Sequence, residues 1–205
     1  EKLKEYWQKF MLGQKTGIDI TAEGVGFLPD PAEKEARTKD IWRLGDTYNV
    51  SIGQGDLLVT PIQLINYISS LANGGNFYKP YIVETIKDKG GKIIKEREPE
   101  LINSLSYLGD YINEVKDGMQ DAVSKPYGTA YLLADLPFNV SAKTGSAQVS
   151  NNTKTNAFFV GYAPAENPQI AILVLIENAR EGSLNAVPVA KDVLEWYYYN
   201  RLVGA

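Results

Sequence analysis

Val140-Ser141-Ala142-Lys143-Thr144-Gly145-Ser146-Ala147-Gln148-Val149 is the stretch on which the reading of this 205-residue chain turns. It reads as an extended segment. Two strongly apolar strands follow it, at residues 156–163 and 169–177, joined by a proline-bearing turn at 164–168. Val187, Ala190, Val193, Leu194 and Tyr197 then recur at helical spacing within residues 184–201. Helices first, three strands next and one helix last predict an α+β fold: an antiparallel sheet flanked by helices. Residues 170–176 are seven consecutive apolar residues, so both faces of that strand are expected to be covered.

Lys143-Thr144-Gly145 has a second copy, Lys15-Thr16-Gly17, and context separates the two. Lys15 follows Gly13, the expected cap of a helix over residues 2–12 with Leu3, Tyr6, Trp7, Phe10 and Met11 on its apolar face. That copy reads as a structural turn leading into Ile18-Asp19-Ile20. The Lys143 copy lies on a sheet, where an extended peptide can pair with it. Alternation puts the hydroxyls of Thr144 and Ser146 on one side of the strand and Lys143 on the other. A twist or bulge at Gly145 would bring the ammonium round.

The rest of the chain supplies framework. Residues 32–40 read as a short exposed helix. Residues 44–56, rich in glycine and polar side chains, read as a loop able to line a cleft, in which Gln54 and Asp56 either touch substrate or, the favoured reading, hold the loop by hydrogen bonds. Thr60-Pro61 starts a helix that runs to about residue 72, with Leu64, Ile65, Ile68 and Leu71 inward. Residues 79–88 and 92–97 form a hairpin around Gly90-Gly91. A helix over residues 108–123 carries Tyr111, Ile112, Val115, Met119 and Val123 on one face. Gly128-Thr129-Ala130 opens another that ends near Leu136-Pro137. Trp7, Trp42 and Trp196 read as packing residues, and Glu177 as a partner for Arg180 or Lys191.

Composition narrows the chemistry. Net charge is -4, which does not suit a polyanion, so nucleic acid is excluded as a partner. Without cysteine or histidine, the usual ligands of zinc, haem and iron–sulfur groups are missing, and Ser-His-Asp and Cys-His catalysis are excluded within the chain. No metal and no cofactor is expected. No apolar run reaches the roughly 18 residues that span a bilayer. The first residues lack a signal peptide's apolar core. They begin inside a helical pattern, which suggests a piece of a longer parent.

Leu44-Gly45-Asp46-Thr47-Tyr48-Asn49-Val50-Ser51-Ile52-Gly53-Gln54-Gly55, followed by Leu58-Val59-Thr60-Pro61-Ile62-Gln63-Leu64, resembles the elongation-type class B penicillin-binding proteins, the peptidoglycan D,D-transpeptidases of the penicillin-binding protein 2 family. Leu12–Asp19 upstream resembles them too, as do Gly128-Thr129-Ala130, Ala142–Val149 and Phe159-Val160-Gly161-Tyr162-Ala163-Pro164 downstream. Lys143-Thr144-Gly145 is similar to the third motif of that family. The nucleophile motif, Ser-x-x-Lys, occurs nowhere in the 205 residues. Ser150-Asn151-Asn152 and Ser183-Leu184-Asn185 formally fit the second motif, but they follow the Lys143 strand and read as loop chemistry. Asn178-Ala179-Arg180-Glu181-Gly182 departs from the glycine-rich link usual after the last strand.

The resemblance implies that residues 1–205 are the C-terminal portion of a single transpeptidase domain whose serine lies outside this chain. It implies that Lys143, Thr144, Gly145 and Ser146 bind the D-Ala-D-Ala end of a stem peptide and β-lactams. Lys143 would face the reaction, and the Ser146 backbone N–H would be one oxyanion donor. Implied partners are the N-terminal half of the domain, peptidoglycan stem peptides, β-lactam antibiotics and the membrane elongation machinery. The implied location is the extracytoplasmic face of the bacterial membrane, with an anchor elsewhere in the protein. Two other readings fit parts of the pattern: a β-lactamase or β-lactam sensor, and a non-catalytic peptide-binding module. On any of them this chain alone is expected to be inactive and prone to associate through uncovered apolar surface.

Overall fold

The computed structural model describes residues 2–149, 154–179 and 181–204. The chain divides into two compact units, Glu1–Ser70 with Gly75–Tyr107, and Leu71–Gly74 with Leu108–Ala205.

The first unit opens with helix α1 (Lys2–Lys9), which gives way to turns where Met11 and Gly13 take positive φ. Leu28 packs where a Gly13 side chain would sit. Helix α2 (Pro31–Thr38) has an Asp30 cap whose carboxylate accepts from the Glu33 N–H, proline at its first position and a left-handed Lys39 at its end. Helix α3 (Leu44–Ser51) occupies most of what the sequence suggested was a loop. Asp46 makes the difference: its carboxylate accepts from the Arg43 N–H at 2.7 Å and pairs with Lys34 at 2.7 Å. Those contacts satisfy the helix start and outweigh the propensity cost of Gly45, Asp46 and Asn49. The glycines are spent after the helix, where Gly53 and Gly55 take positive φ.

Helix α4 (Pro61–Ala72) starts as expected: the Gln63 N–H donates to Thr60 Oγ1 and the Thr60 N–H to Gln63 Oε1. Gln63 is buried, and its amide also donates to the Gln14 and Val25 carbonyls at 2.7 and 2.9 Å. One side chain thereby ties three segments together with no donor wasted. Strands β1 (Asn76–Tyr78), β2 (Thr85–Lys87), β3 (Ile93–Glu96) and β4 (Leu101–Ser104) form two antiparallel pairs, β2 with β3 and β1 with β4. The hairpin is shorter than expected, and the outer β1–β4 pair is additional. Its pairing is non-local, so no short-range turn signal announces it.

In the second unit, helix α5 (Gly109–Ser124) buries Ile112, Met119 and Val123. Tyr111 and Val115 are exposed, contrary to expectation. They flank the 112-119-123 stripe on one side, Tyr111 by about 100° and Val115 by about 60°. The helix expected from residue 128 is a single 3-10 turn, Tyr131–Leu133. Strands β5 (Ser141–Val149), β6 (Lys154–Ala163) and β7 (Ile170–Ile176) form an antiparallel sheet in that order. The register is unbroken, from Ser141 opposite Tyr162 to Val149 opposite Lys154. After a π-helical turn, Gly182–Ala186, comes helix α6 (Val187–Tyr197).

Ala142, Ala157, Phe159, Ala163 and Ile172 of the sheet pack with Ala186, Val187, Ala190 and Leu194 in one core. Val193 is exposed, contrary to expectation, at the edge of the buried stripe of α6. β7 is only half-covered: Ile172 is buried and its other residues are intermediate on both faces.

Candidate functional site

The candidate site is built on β5. Among the described residues it pairs with β6 alone, so it is the outer strand of its sheet. Half of an outer strand's backbone groups face away from its neighbour and are able to pair with an added chain. Thr144 lies opposite Phe159, and Ser146 opposite Ala157, so their side chains share the core-facing side. Lys143 and Gly145 lie on the other side. No bulge interrupts the ladder at Gly145, so residues 143 and 145 alternate with 144 and 146 along the strand.

Each of the four residues has a distinct setting. Lys143 is exposed and its Nζ donates to the Thr144 carbonyl at 2.6 Å, folding the side chain back along its own strand. Thr144 Oγ1 lies 2.7 Å from Thr129 Oγ1. Ser146 Oγ accepts from the Gly182 N–H at 3.1 Å. A side chain at position 145 would meet Phe158 Cβ at 3.5 Å, an ordinary contact, so the strand's own packing does not demand glycine there.

Gly182 is held far more tightly. A Cβ on it would lie 2.5 Å from the Phe158 carbonyl oxygen and 2.6 Å from that of Gly145. The π-helical turn therefore rests directly on the backbone of the Lys-Thr-Gly-Ser strand. Glycine is kept in this link at a position where a side chain would meet strand backbone. Ser183-Leu184-Asn185 lies in the same turn, with Asn185 Oδ1 accepting from the Glu181 N–H at 3.2 Å. Ser150-Asn151-Asn152 and Arg180 lie outside the described residues.

Lys15-Thr16-Gly17 is used structurally. The Glu23 carboxylate accepts from the Thr16 N–H and hydroxyl at 2.6 Å each and from the Gly17 N–H at 3.1 Å. Burial pushes the Glu23 carboxyl up, but these hydrogen bonds, with Lys15 nearby, outweigh it and hold it below its ordinary value. Thr16 is buried and Gly17 takes a positive φ, a backbone shape that suits glycine.

The remaining candidates make ion pairs and hydrogen bonds within the fold or lie exposed. The Asp56 carboxylate pairs with the Arg37 guanidinium. Trp42 Nε1 donates to Thr47 Oγ1 at 2.8 Å, and Trp196 is an exposed ring under Arg201. Lys191 pairs with Asp135 at 2.7 Å rather than with Glu177. Among the described residues no group of three or more acidic side chains is placed to hold a metal, and no helix is long and apolar enough to cross a membrane.

Thr129 was missed as a neighbour of the site. The sequence placed Gly128-Thr129-Ala130 at a helix start, when its match to the family was a signal in its own right.

Residues 1–195 match the penicillin binding protein transpeptidase domain. Over 98% of its length the chain is 33% identical to the peptidoglycan D,D-transpeptidase MrdA of Haemophilus influenzae, of which it covers 33%. The fold is similar to that of Pseudomonas aeruginosa PBP2, solved in complex with WCK 5153, with a TM-score of 0.80 and 34% identity, covering 96% of this chain and 43% of that one. PBP2 of Helicobacter pylori, solved in complex with MreC, is similar at a TM-score of 0.80 and 29% identity, covering 97% of this chain and 35% of that one. The chain thus spans about a third of the length of the curated relative it matches. With the α+β sheet and the Lys-Thr-Gly strand in place, the chain belongs to the penicillin-binding protein transpeptidase family, among the peptidoglycan D,D-transpeptidases of the MrdA/PBP2 type.

Proposed function

We propose that residues 1–205 are the C-terminal portion of one transpeptidase domain and supply its substrate-binding strand. The observation that carries this reading is an outer strand, β5, bearing Lys143-Thr144-Gly145-Ser146 in an unbroken antiparallel ladder. An extended stem peptide ending in D-Ala-D-Ala is the substrate class suited to such an edge, which it joins by main-chain pairing.

The reaction proceeds in two acyl transfers. A serine Oγ, contributed from outside this chain, attacks the carbonyl carbon between the two terminal D-alanines. The C–N bond breaks, and the last D-alanine leaves as a free amine carrying the serine's proton. The acyl-serine is then attacked by an amine of a neighbouring stem peptide. A new amide forms, the serine oxygen departs and recovers a proton, and the cross-link is complete. β-Lactams enter by the first step and stay as the acyl-enzyme.

This chain's residues hold the substrate's end. The Thr144 and Ser146 hydroxyls donate to the terminal carboxylate, and the Lys143 ammonium supplies a positive field once it leaves the Thr144 carbonyl. The Ser146 backbone N–H is one oxyanion donor. Gly145 keeps the approach clear, a role supported by the lack of any internal packing need for glycine there. The site works on the extracytoplasmic face of a bacterial membrane, in a protein anchored by another segment. The MreC complex of the Helicobacter pylori relative supports assembly of the parent protein with elongation machinery.

The test is acylation of the full-length protein by a fluorescent penicillin. Lys143→Ala is expected to slow acylation about 10- to 100-fold, the range of a hydrogen bond to a charged group. Thr144→Val is expected to slow it by a similar factor, about 10- to 100-fold, because the bond it removes is also to a charged carboxylate. Unchanged rates in both variants remove β5 from the site.

A further inference from the structure

Gly128-Thr129-Ala130 is held by backbone hydrogen bonds on either side of Thr129. The Ala130 N–H donates to the Ala122 carbonyl at 2.9 Å, and the Gly128 N–H to the Lys125 carbonyl at 2.8 Å. Ala130 is fully buried in the core under the sheet. Gly128 is pressed so close to the end of α5 that a Cβ would lie 2.2 Å from the Ala122 oxygen. Thr129 is fixed between these two anchors, yet its own side chain is exposed. Packing therefore does not explain a threonine there. Its hydroxyl instead meets one partner, Thr144 Oγ1, at 2.7 Å.

We propose that Thr129 is a positioning residue that orients the Thr144 hydroxyl for an incoming carboxylate. The inference rests on the reading of Thr144 as a carboxylate donor. Each threonine hydroxyl carries one proton and can accept two hydrogen bonds. The Thr144 hydroxyl donates to Thr129 Oγ1. A carboxylate accepts only, so Thr144 must turn its proton outward to bind one. Thr129 then reverses and donates to Thr144. The result is a directed chain from Thr129 O–H to Thr144 O–H to carboxylate, in which each bond polarises the next. No bond to carbon forms or breaks, and no proton leaves its oxygen. The firm anchoring of residues 128 and 130 matters because the acceptor must stay in place while the polarity changes.

The experiment uses the full-length protein and two probes: a fluorescent penicillin with its free carboxylate, and the methyl ester of the same compound. Acylation rates are compared for wild type, Thr129→Val, Thr129→Ser, Thr144→Val and the double valine variant. Thr129→Val is expected to acylate about 3- to 10-fold more slowly with the acid, the effect of one neutral hydrogen bond. With the ester its rate should match wild type, because the ester carries no negative charge to orient toward. Thr129→Ser should recover to within about twofold, since it keeps the hydroxyl. The double variant should be no slower than Thr144→Val alone, because both changes break one chain.

Equal slowing on acid and ester, or failure of serine to rescue, overturns the proposal in favour of a purely structural turn. Wild-type rates in Thr129→Val, with Thr144→Val slowed, overturn it while leaving the reading of the strand intact. If Thr144→Val itself acylates normally, that reading fails and the inference falls with it. Should Thr129→Val fail to fold, Thr129→Ala gives the same comparison.

Discussion

Replacing Gly182 with alanine tests how far the carboxylate-binding strand depends on the turn behind it. The new methyl would lie 2.5 Å from the Phe158 carbonyl oxygen, 2.6 Å from the Gly145 oxygen and 3.1 Å from the Gly145 nitrogen. All three are backbone atoms of paired strands, so no flexible side chain can swing aside. The turn must move outward by at least about half an ångström, since Cβ contacts under about 3 Å are not tolerated. That shift stretches the 3.1 Å bond from the Gly182 N–H to Ser146 Oγ past its useful range. Overpacking of this kind costs about 1–3 kcal/mol, and the lost hydrogen bond about 1 kcal/mol. A total near 2–4 kcal/mol is expected, read as a lowered urea midpoint at unchanged slope. Because the clash falls on Gly145 itself, penicillin acylation should also slow under conditions where the protein stays folded. A variant with the wild-type midpoint and wild-type acylation would refute the claim that this turn bears on the strand.

Gly118→Ala provides the opposite expectation. Gly118 lies within α5 with open space where its Cβ would go, so alanine should stabilise by roughly 0.5–1 kcal/mol; a destabilised variant would show that the site is not open. Acid should loosen the first unit. Asp19 accepts from the Ile82 and Val83 N–H groups, which, against its partial burial, hold its carboxyl below the ordinary value, and Glu23 is likewise depressed. A depressed carboxylate stabilises the fold above its unfolded pKa of about 4 and loses that contribution as pH falls through the lower folded value. The Asp19→Asn, Glu23→Gln double variant should therefore lose less melting temperature than wild type on acidification, and parallel curves would contradict this. Residues 1–205 expressed alone should not be labelled by fluorescent penicillin, and co-expression of the upstream part of the protein should restore labelling on the upstream part only. Labelling of this chain by itself would end the proposal that the serine lies elsewhere.

The sequence by itself determined what repeats locally. The alternation and apolar runs of residues 140–177 were enough for the three-stranded sheet and its order, because strand period and a short turn fix pairing between neighbours. Thr60-Pro61 announced α4, since caps act over three residues. The two Lys-Thr-Gly copies could be told apart because one follows a helix end and the other precedes strands.

What only the tertiary structure decided depends on groups far apart in the chain. Residues 44–51 are helical because Lys34, Asp46 and the Arg43 backbone meet, a contact that outweighs weak local propensity. The β1–β4 pair joins segments more than twenty residues apart, and the Gly90-Gly91 turn between them announces only the inner β2–β3 hairpin. The face of α5 was read too wide: Ile112, Met119 and Val123 are buried as expected, Tyr111 and Val115 at the edge of the same stripe are exposed, and only the position of the sheet selects between them. The contact of Thr129 with Thr144 and the seat of Gly182 on Gly145 arise the same way. Chemical identity is written residue by residue, whereas distance between hydroxyls and backbones exists only once the sheet, the end of α5 and the turn after β7 are packed together.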